Sequence, residues 1–190
     1  MAARKATGGR GKGGPPPPHP VLQRLAVLLL RVFPGAILVD SALYKLGFDD
    51  AQGFGEAVER FRLTDYHDLV QAAIDEPPRV FGHAFTAFSD ALAAVAFGSP
   101  AWERFLAGSI LAFELVAGIA LVLGLGTRLV AVLAALLMIV FGLAKRGWLL
   151  SPSTSNWVMA GMLLAAAMLA AGRVLGLDAR LAGRWPRWIS

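Results

Sequence analysis

Between Phe105 and Thr127 the chain carries one charged residue, Glu114. A helix of about 20 apolar residues crosses the hydrocarbon of a bilayer, because a helix satisfies its own backbone polar groups there. The segment therefore predicts a membrane span with a carboxylate near mid-depth. An acid at helix centre costs about 2.5–3.5 kcal/mol on insertion scales, so something inside the protein has to compensate it. Gly118 lies one turn further along the same face, with Leu111, Ala117 and Leu121 beside it. A small residue there lets a second helix approach closely, so this face is expected to point inward.

The rest of the chain follows the same pattern. Hydrophobic residues make up 56% of the 190 and come in long blocks, which marks a polytopic membrane protein rather than a soluble core. The expected fold is an all-α integral membrane four-helix bundle with an amphipathic or interfacial helical excursion between the first and second spans. Its domain covers residues 21–178, with spans at about 21–46, 104–127, 129–146 and 153–173. The first span holds Arg31 near its middle, Pro34, and then Asp40 and Lys45 toward its far end. Pro34 removes a ladder donor and crowds the Leu30 carbonyl, so a kink is expected. The third span is short, with Trp148, Leu149 and Leu150 expected at the interface, and Trp157 is expected to anchor the fourth.

Residues 1–20 form a basic, Gly- and Pro-rich stretch that cannot bury a core. They read as a disordered cytoplasmic tail, and residues 179–190 as a second basic tail. Residues 49–103 carry ten acids against three arginines, Arg60, Arg62 and Arg79. Within this outer loop, 47–103, apolar residues at 54, 57, 58 and 61 predict an amphipathic helix over Ala51–Leu63, on the membrane or capping the bundle. Phe81–Phe97 reads as a re-entrant or interfacial helix, with a fifth span as the alternative. Basic ends and an acidic loop predict both termini on the cytoplasmic side; the expected location is a bacterial or archaeal plasma membrane. Lys145 and Arg146 fall on the side that this rule disfavours.

The net charge of +5 is concentrated at the chain ends without a recognition motif, so nucleic-acid binding is not expected. With no cysteine, the chain has no disulfide, thiolate nucleophile or Cys-ligated cluster. Redox chemistry would need a bound organic cofactor or a partner subunit. His67 and His83 stand 16 residues apart, not at ligand spacing on one helix face, and no metal site is expected. Gly124-Leu-Gly126 lacks the strand–turn–helix context of a dinucleotide loop.

Three elements in order carry a resemblance. They are Tyr44-Lys45-Leu46, then Glu114-Leu-Val-Ala-Gly118 with Leu121-Val-Leu-Gly124-Leu-Gly-Thr127-Arg128, and then Gly172-Arg173-Val-Leu-Gly176-Leu177-Asp178. Over about residues 22–185 the chain resembles the DoxX/DoxD superfamily of four-helix membrane proteins. The last element, with Trp185-Pro186 beyond it, leans toward the DoxD small subunit of thiosulfate:quinone oxidoreductase. The resemblance implies a membrane subunit that passes electrons from thiosulfate or related reduced sulfur compounds to a quinone. It also implies a second, DoxA-type membrane or periplasmic redox subunit; a homo-oligomer is a further option.

Weighed against that resemblance, Glu114 has a structural reading, an interhelical hydrogen bond or ion pair, and a functional one, a proton-accepting carboxylate beside a quinone. Arg31 is expected at comparable depth and is taken as its partner. Asp40 and Lys45 are expected nearer the outer surface, forming a second pair or lining the mouth of the bundle. Arg128 reads as a headgroup anchor for a Gly-rich turn, and Asp178 as a cap of the terminal segment or a partner of Arg173 or Arg180. The catalytic candidates are thus Glu114 and Arg31, and the quinone or substrate-binding candidates Lys45, Asp40, Arg128 and Asp178. Two other functions stay open: a non-catalytic assembly or maturation factor for a membrane redox complex, and a small-molecule transporter.

Overall fold

The computed structural model describes residues 20–47, 53–80, 83–145 and 155–181. The expectations for residues 1–19, Arg146, Trp148 and residues 182–190 lie outside the described residues.

Three helices are long and apolar enough to cross a membrane: α1 (Pro20–Leu46), α5 (Pro100–Leu123) and α6 (Thr127–Ala144). Between α1 and α5 come α2 (Phe54–Phe61), a π-helical turn (Arg62–Tyr66) and α3 (His67–Asp75). A short antiparallel hairpin, β1 (Arg79–Val80) and β2 (His83–Ala84), and α4 (Thr86–Ala96) follow. After α6 come α7 (Ser155–Met168), a 3₁₀ turn (Ala171–Arg173) and α8 (Leu177–Leu181).

The helix ends follow local chemistry. Pro20 opens α1, which runs unbroken through the buried Pro34. Ser99 caps α5 by accepting from the Trp102 N–H at 3.2 Å, with Pro100 in the first turn, where it loses no ladder bond. The span therefore starts at Pro100, four residues before the expected Arg104. Gly124 ends α5 in the left-handed conformation, φ 70°, and Leu125 N–H donates back to Ala120 O at 2.8 Å.

Within the expected fourth span, 153–173, the structure describes helix α7 over Ser155–Met168, 14 residues against the roughly 20 that a bilayer requires, with residues 146–154 outside the described residues. Two residues past its end, Ala170 is left-handed, φ 48°. Helix α7 nonetheless packs into the main core. Leu38 of α1, Ala117 and Leu121 of α5, Ala131, Ala134, Ala135 and Met138 of α6, and Met159, Ala160 and Leu163 of α7 form one buried cluster. Trp157, expected as an interfacial anchor, is half-buried and lies against Gly142, where a Cβ would meet its indole at 2.9 Å.

The small-residue face of α5 meets α1. A Cβ on Gly118 would stand 2.7 Å from the Gly35 carbonyl oxygen, and one on Gly35 would stand 3.0 Å from that of Gly118. Two glycines at one crossing point let the backbones touch, as membrane helices require when no hydrophobic force drives them together. This contact sets the register of the antiparallel α1–α5 pair.

The segment between the first two spans has its own core. Val58 and Phe61 of α2, Tyr66, Val70 of α3 and Ala96 of α4 pack on Ala107 and Leu111 of α5. Helix α4 has 11 residues, too few to span, and docks on α3 through Ser89 Oγ donating to Ala73 O at 2.6 Å.

Candidate functional site

The α1–α5 register decides which charges meet. Lys45, at the end of α1, donates from Nζ to both carboxylate oxygens of Glu114, each at 2.6 Å. Glu114 is 1% exposed and the Lys45 side chain 17%. The ammonium also stands 5.2 Å from the Phe61 ring centroid and 5.4 Å from that of Phe141. A buried carboxylate, its cation and two aromatic faces thus form one desolvated centre, in which the rings add cation–π attraction.

This centre heads a cavity of about 520 Å³. Phe33, Ile37, Leu38, Met138, Met159 and Met162 give it apolar walls, while Ser41, Lys45, Glu114, Lys145, Ser155 and Asn156 make the polar part. A second hollow of about 560 Å³ lies under α2 and the π turn and shares Ser41, Lys45, Phe141 and Lys145 with the first. Lys45 therefore stands between the two spaces.

Arg31 is not the partner of Glu114. It is 2% exposed and lies against the α5 end, where a Cβ on Gly124 would meet its guanidinium. Ten residues of helix, about 15 Å, separate Gly124 from Glu114. Nη1 of Arg31 donates to Ala171 O at 3.2 Å and to Val174 O at 3.3 Å, while its Nε is buried without a hydrogen-bond partner.

Asp178 shares that end. Its carboxylate accepts from Gly126 N–H at 2.7 Å and Thr127 N–H at 2.9 Å, and its own N–H donates to Gly124 O at 2.8 Å. Through these bonds it caps the start of α6. The approach is close enough that a Cβ on Gly172 would meet the Asp178 carboxylate and the Thr127 hydroxyl. Gly124, Gly126, Gly172 and Asp178 thus form one structural clasp, with Arg128 half-buried beside it in the first turn of α6.

Asp40 stands apart from both centres. It is exposed on α1 and lines an outer groove with Ala36, Val39, Leu43, Ile119 and Val122, so it neither pairs with Lys45 nor reaches the cavity.

An ion-pair network fastens the excursion to α5. Arg62 holds Glu59 at 2.6 Å and Glu103 at 2.9 Å, and Arg104 holds Glu59 at 2.8 Å. Hydrogen bonds from Arg62, then Arg104, pull the Glu59 carboxyl down to about 2. Burial pushes the Tyr66 phenol up. His67 Nδ1 stands 3.8 Å from Glu103 and its ring centroid 5.0 Å from that of Phe97, while His83 sits in β2. Among the described residues no three His, Asp or Glu side chains gather as a metal set.

Three membrane-length helices closed around a buried Lys–Glu pair and an amphipathic cavity define an integral membrane protein with an internal polar site. The chain belongs to the DoxX family, which it matches over residues 26–146. That segment holds the Lys45–Glu114 pair and the Gly124–Arg128 turn; the Gly172–Asp178 element lies beyond it. No curated protein and no solved structure matches the chain.

Proposed function

We propose that this chain is the membrane subunit of a quinone-linked oxidoreductase of DoxD type, acting on thiosulfate or a related reduced sulfur compound. The observation that carries the reading is the cavity headed by Lys45 and Glu114. Apolar walls with one polar end suit an amphipathic ring that arrives from the bilayer. A quinone fits this donor set, since its ring is apolar and its carbonyl oxygens accept hydrogen bonds.

The two charged groups paired at the cavity head have distinct roles. An ammonium has three N–H donors, and Lys45 commits two to Glu114, leaving one for a carbonyl oxygen at the cavity head. Phe61 and Phe141 keep that ammonium dehydrated, which strengthens the bond it offers. Glu114 is placed to hold or release a proton beside the same oxygen. A bound quinone supplies the capacity to take up two electrons and two protons. The chain has no cysteine, so electrons come from a partner subunit, with the ion-paired excursion as its dock.

Thiosulfate-dependent quinone reduction by membranes containing the protein and its partner tests this reading. Glu114→Gln should lower the rate at least about tenfold, the scale of losing a positioned acid–base group. An unchanged rate refutes the catalytic role of Glu114.

A further inference from the structure

Asp40 is exposed on α1, a helix long and apolar enough to cross a membrane. Among the described residues no cation pairs with it and no donor reaches its carboxylate. Its depth follows from the crossing of α1 and α5, where Gly35 and Gly118 touch. Five residues beyond Gly35 on α1 is Asp40, and five before Gly118 on the antiparallel α5 is Phe113, the neighbour of Glu114. Asp40 is therefore level with the apolar middle of α5. Six residues of helix, about 9 Å, separate it from the end of α1. A short carboxylate side chain cannot reach water over that distance, as a lysine stem does.

The groove that holds Asp40 has a volume of about 440 Å³, and every other residue lining it is apolar. Ile119 and Val122 of α5 are exposed along it. Ala36, one turn before Asp40 on the same face, is exposed as well. A small residue beside a polar one lets a second membrane helix come close and bond to the polar group. Ionised side chains at this depth pair with an opposite charge, and lipid tails offer none. The counter-charge therefore has to come from another chain. A second copy of this one brings no suitable cation among its described residues, since Lys45 is held by Glu114 and Lys145 lies at the end of α6.

We propose that this groove docks a membrane helix of a different protein, one that carries a lysine or arginine near mid-depth. Ala36 gives that helix room, Asp40 takes its charge, and Val39, Leu43, Ile119 and Val122 pack along its apolar flank. The groove is separate from the Lys45–Glu114 cavity, so the docking stands whether or not a quinone binds there.

The test is fluorescence energy transfer at neutral pH between the labelled full-length protein in phosphatidylcholine vesicles and synthetic membrane peptides of about 20 residues. One peptide is leucine-rich with a central lysine, and the other has leucine in its place. The lysine peptide should associate at least about fivefold more tightly, the scale of a polar contact between membrane helices. Asp40→Asn should abolish that preference, and Ala36→Phe, which fills the groove and keeps the charge, should weaken it. Both side chains are exposed, and circular dichroism of each variant reports folding. Asp40→Lys should instead prefer a peptide with a central glutamate. Equal association of the lysine and leucine peptides with the wild type overturns the proposal, as does a preference that survives Asp40→Asn. Self-association of the labelled protein that Asp40→Asn abolishes assigns the groove to a second copy, and also overturns it.

Discussion

Lys45 holds Glu114 through both carboxylate oxygens at 2.6 Å, from a position at the end of α1, while Arg31 is bound into the opposite end of the protein. Fourteen residues of helix, about 21 Å, separate the two cations along α1. One charge thus heads a cavity, and the other fastens a turn.

Removing one partner of a desolvated pair leaves the other charge uncompensated. Lys45→Met or Glu114→Leu alone should each cost about 3–5 kcal/mol, whereas the double substitution should recover most of the loss. Thermal unfolding in detergent for the two single variants and the double variant checks this; additive losses would show that the charges do not interact.

Glycine substitutions should separate by position. Gly118→Val places carbons against the Gly35 carbonyl and Val39, and should destabilise by about 1–3 kcal/mol or more. Gly161, within α7, has nothing within 4 Å of a Cβ, so Gly161→Ala should be neutral or stabilise by up to about 1 kcal/mol. Melting temperatures of the two variants should move in opposite directions or differ clearly.

Asp178→Ala strips the acceptor from two buried N–H groups at the start of α6. A loss of about 1–3 kcal/mol is expected. Limited proteolysis should then cut first near residues 169–178, with the Lys45–Glu114 end still protected.

The excursion should respond to acid. Glu59 titrates at about 2 in the folded protein against an ordinary value of 4.5, so its ion pairs stabilise the fold above 4.5. That contribution is lost as pH falls from 4.5 toward 2. Hydrogen exchange in α2 should rise over that interval, more weakly in Glu59→Gln, and less steeply at high salt because these groups lie at the surface.

What the sequence reveals here follows from how local each signal is. Apolar blocks locate α1, α5 and α6, and the Glu114–Gly118 spacing identifies the inward face of α5, because both depend on one helix alone. The partner of Glu114 depends on how two helices are offset. Counting residues into a span puts Arg31 and Glu114 at similar depth, but the Gly35–Gly118 contact sets the offset and brings Lys45 to Glu114 instead. Lys45 then reaches down along its flexible stem, beyond what residue counting can show. The clasp around Asp178 joins segments 51 and 52 residues apart, so only its glycines hint at close approach. The end of α7 is followed by a left-handed Ala170, for which the sequence carries no glycine signal.

The central claim, that the Lys45–Glu114 head of the cavity receives a quinone, is tested most directly by equilibrium binding of a short-chain ubiquinone to the purified protein. The comparison is wild type against the folded Lys45→Met/Glu114→Leu double variant. Saturable binding in the wild type, weakened at least about tenfold in the double variant, is the predicted result, on the scale of one lost charge-assisted hydrogen bond. Equal affinity in the two proteins, or no binding to either, would contradict the account.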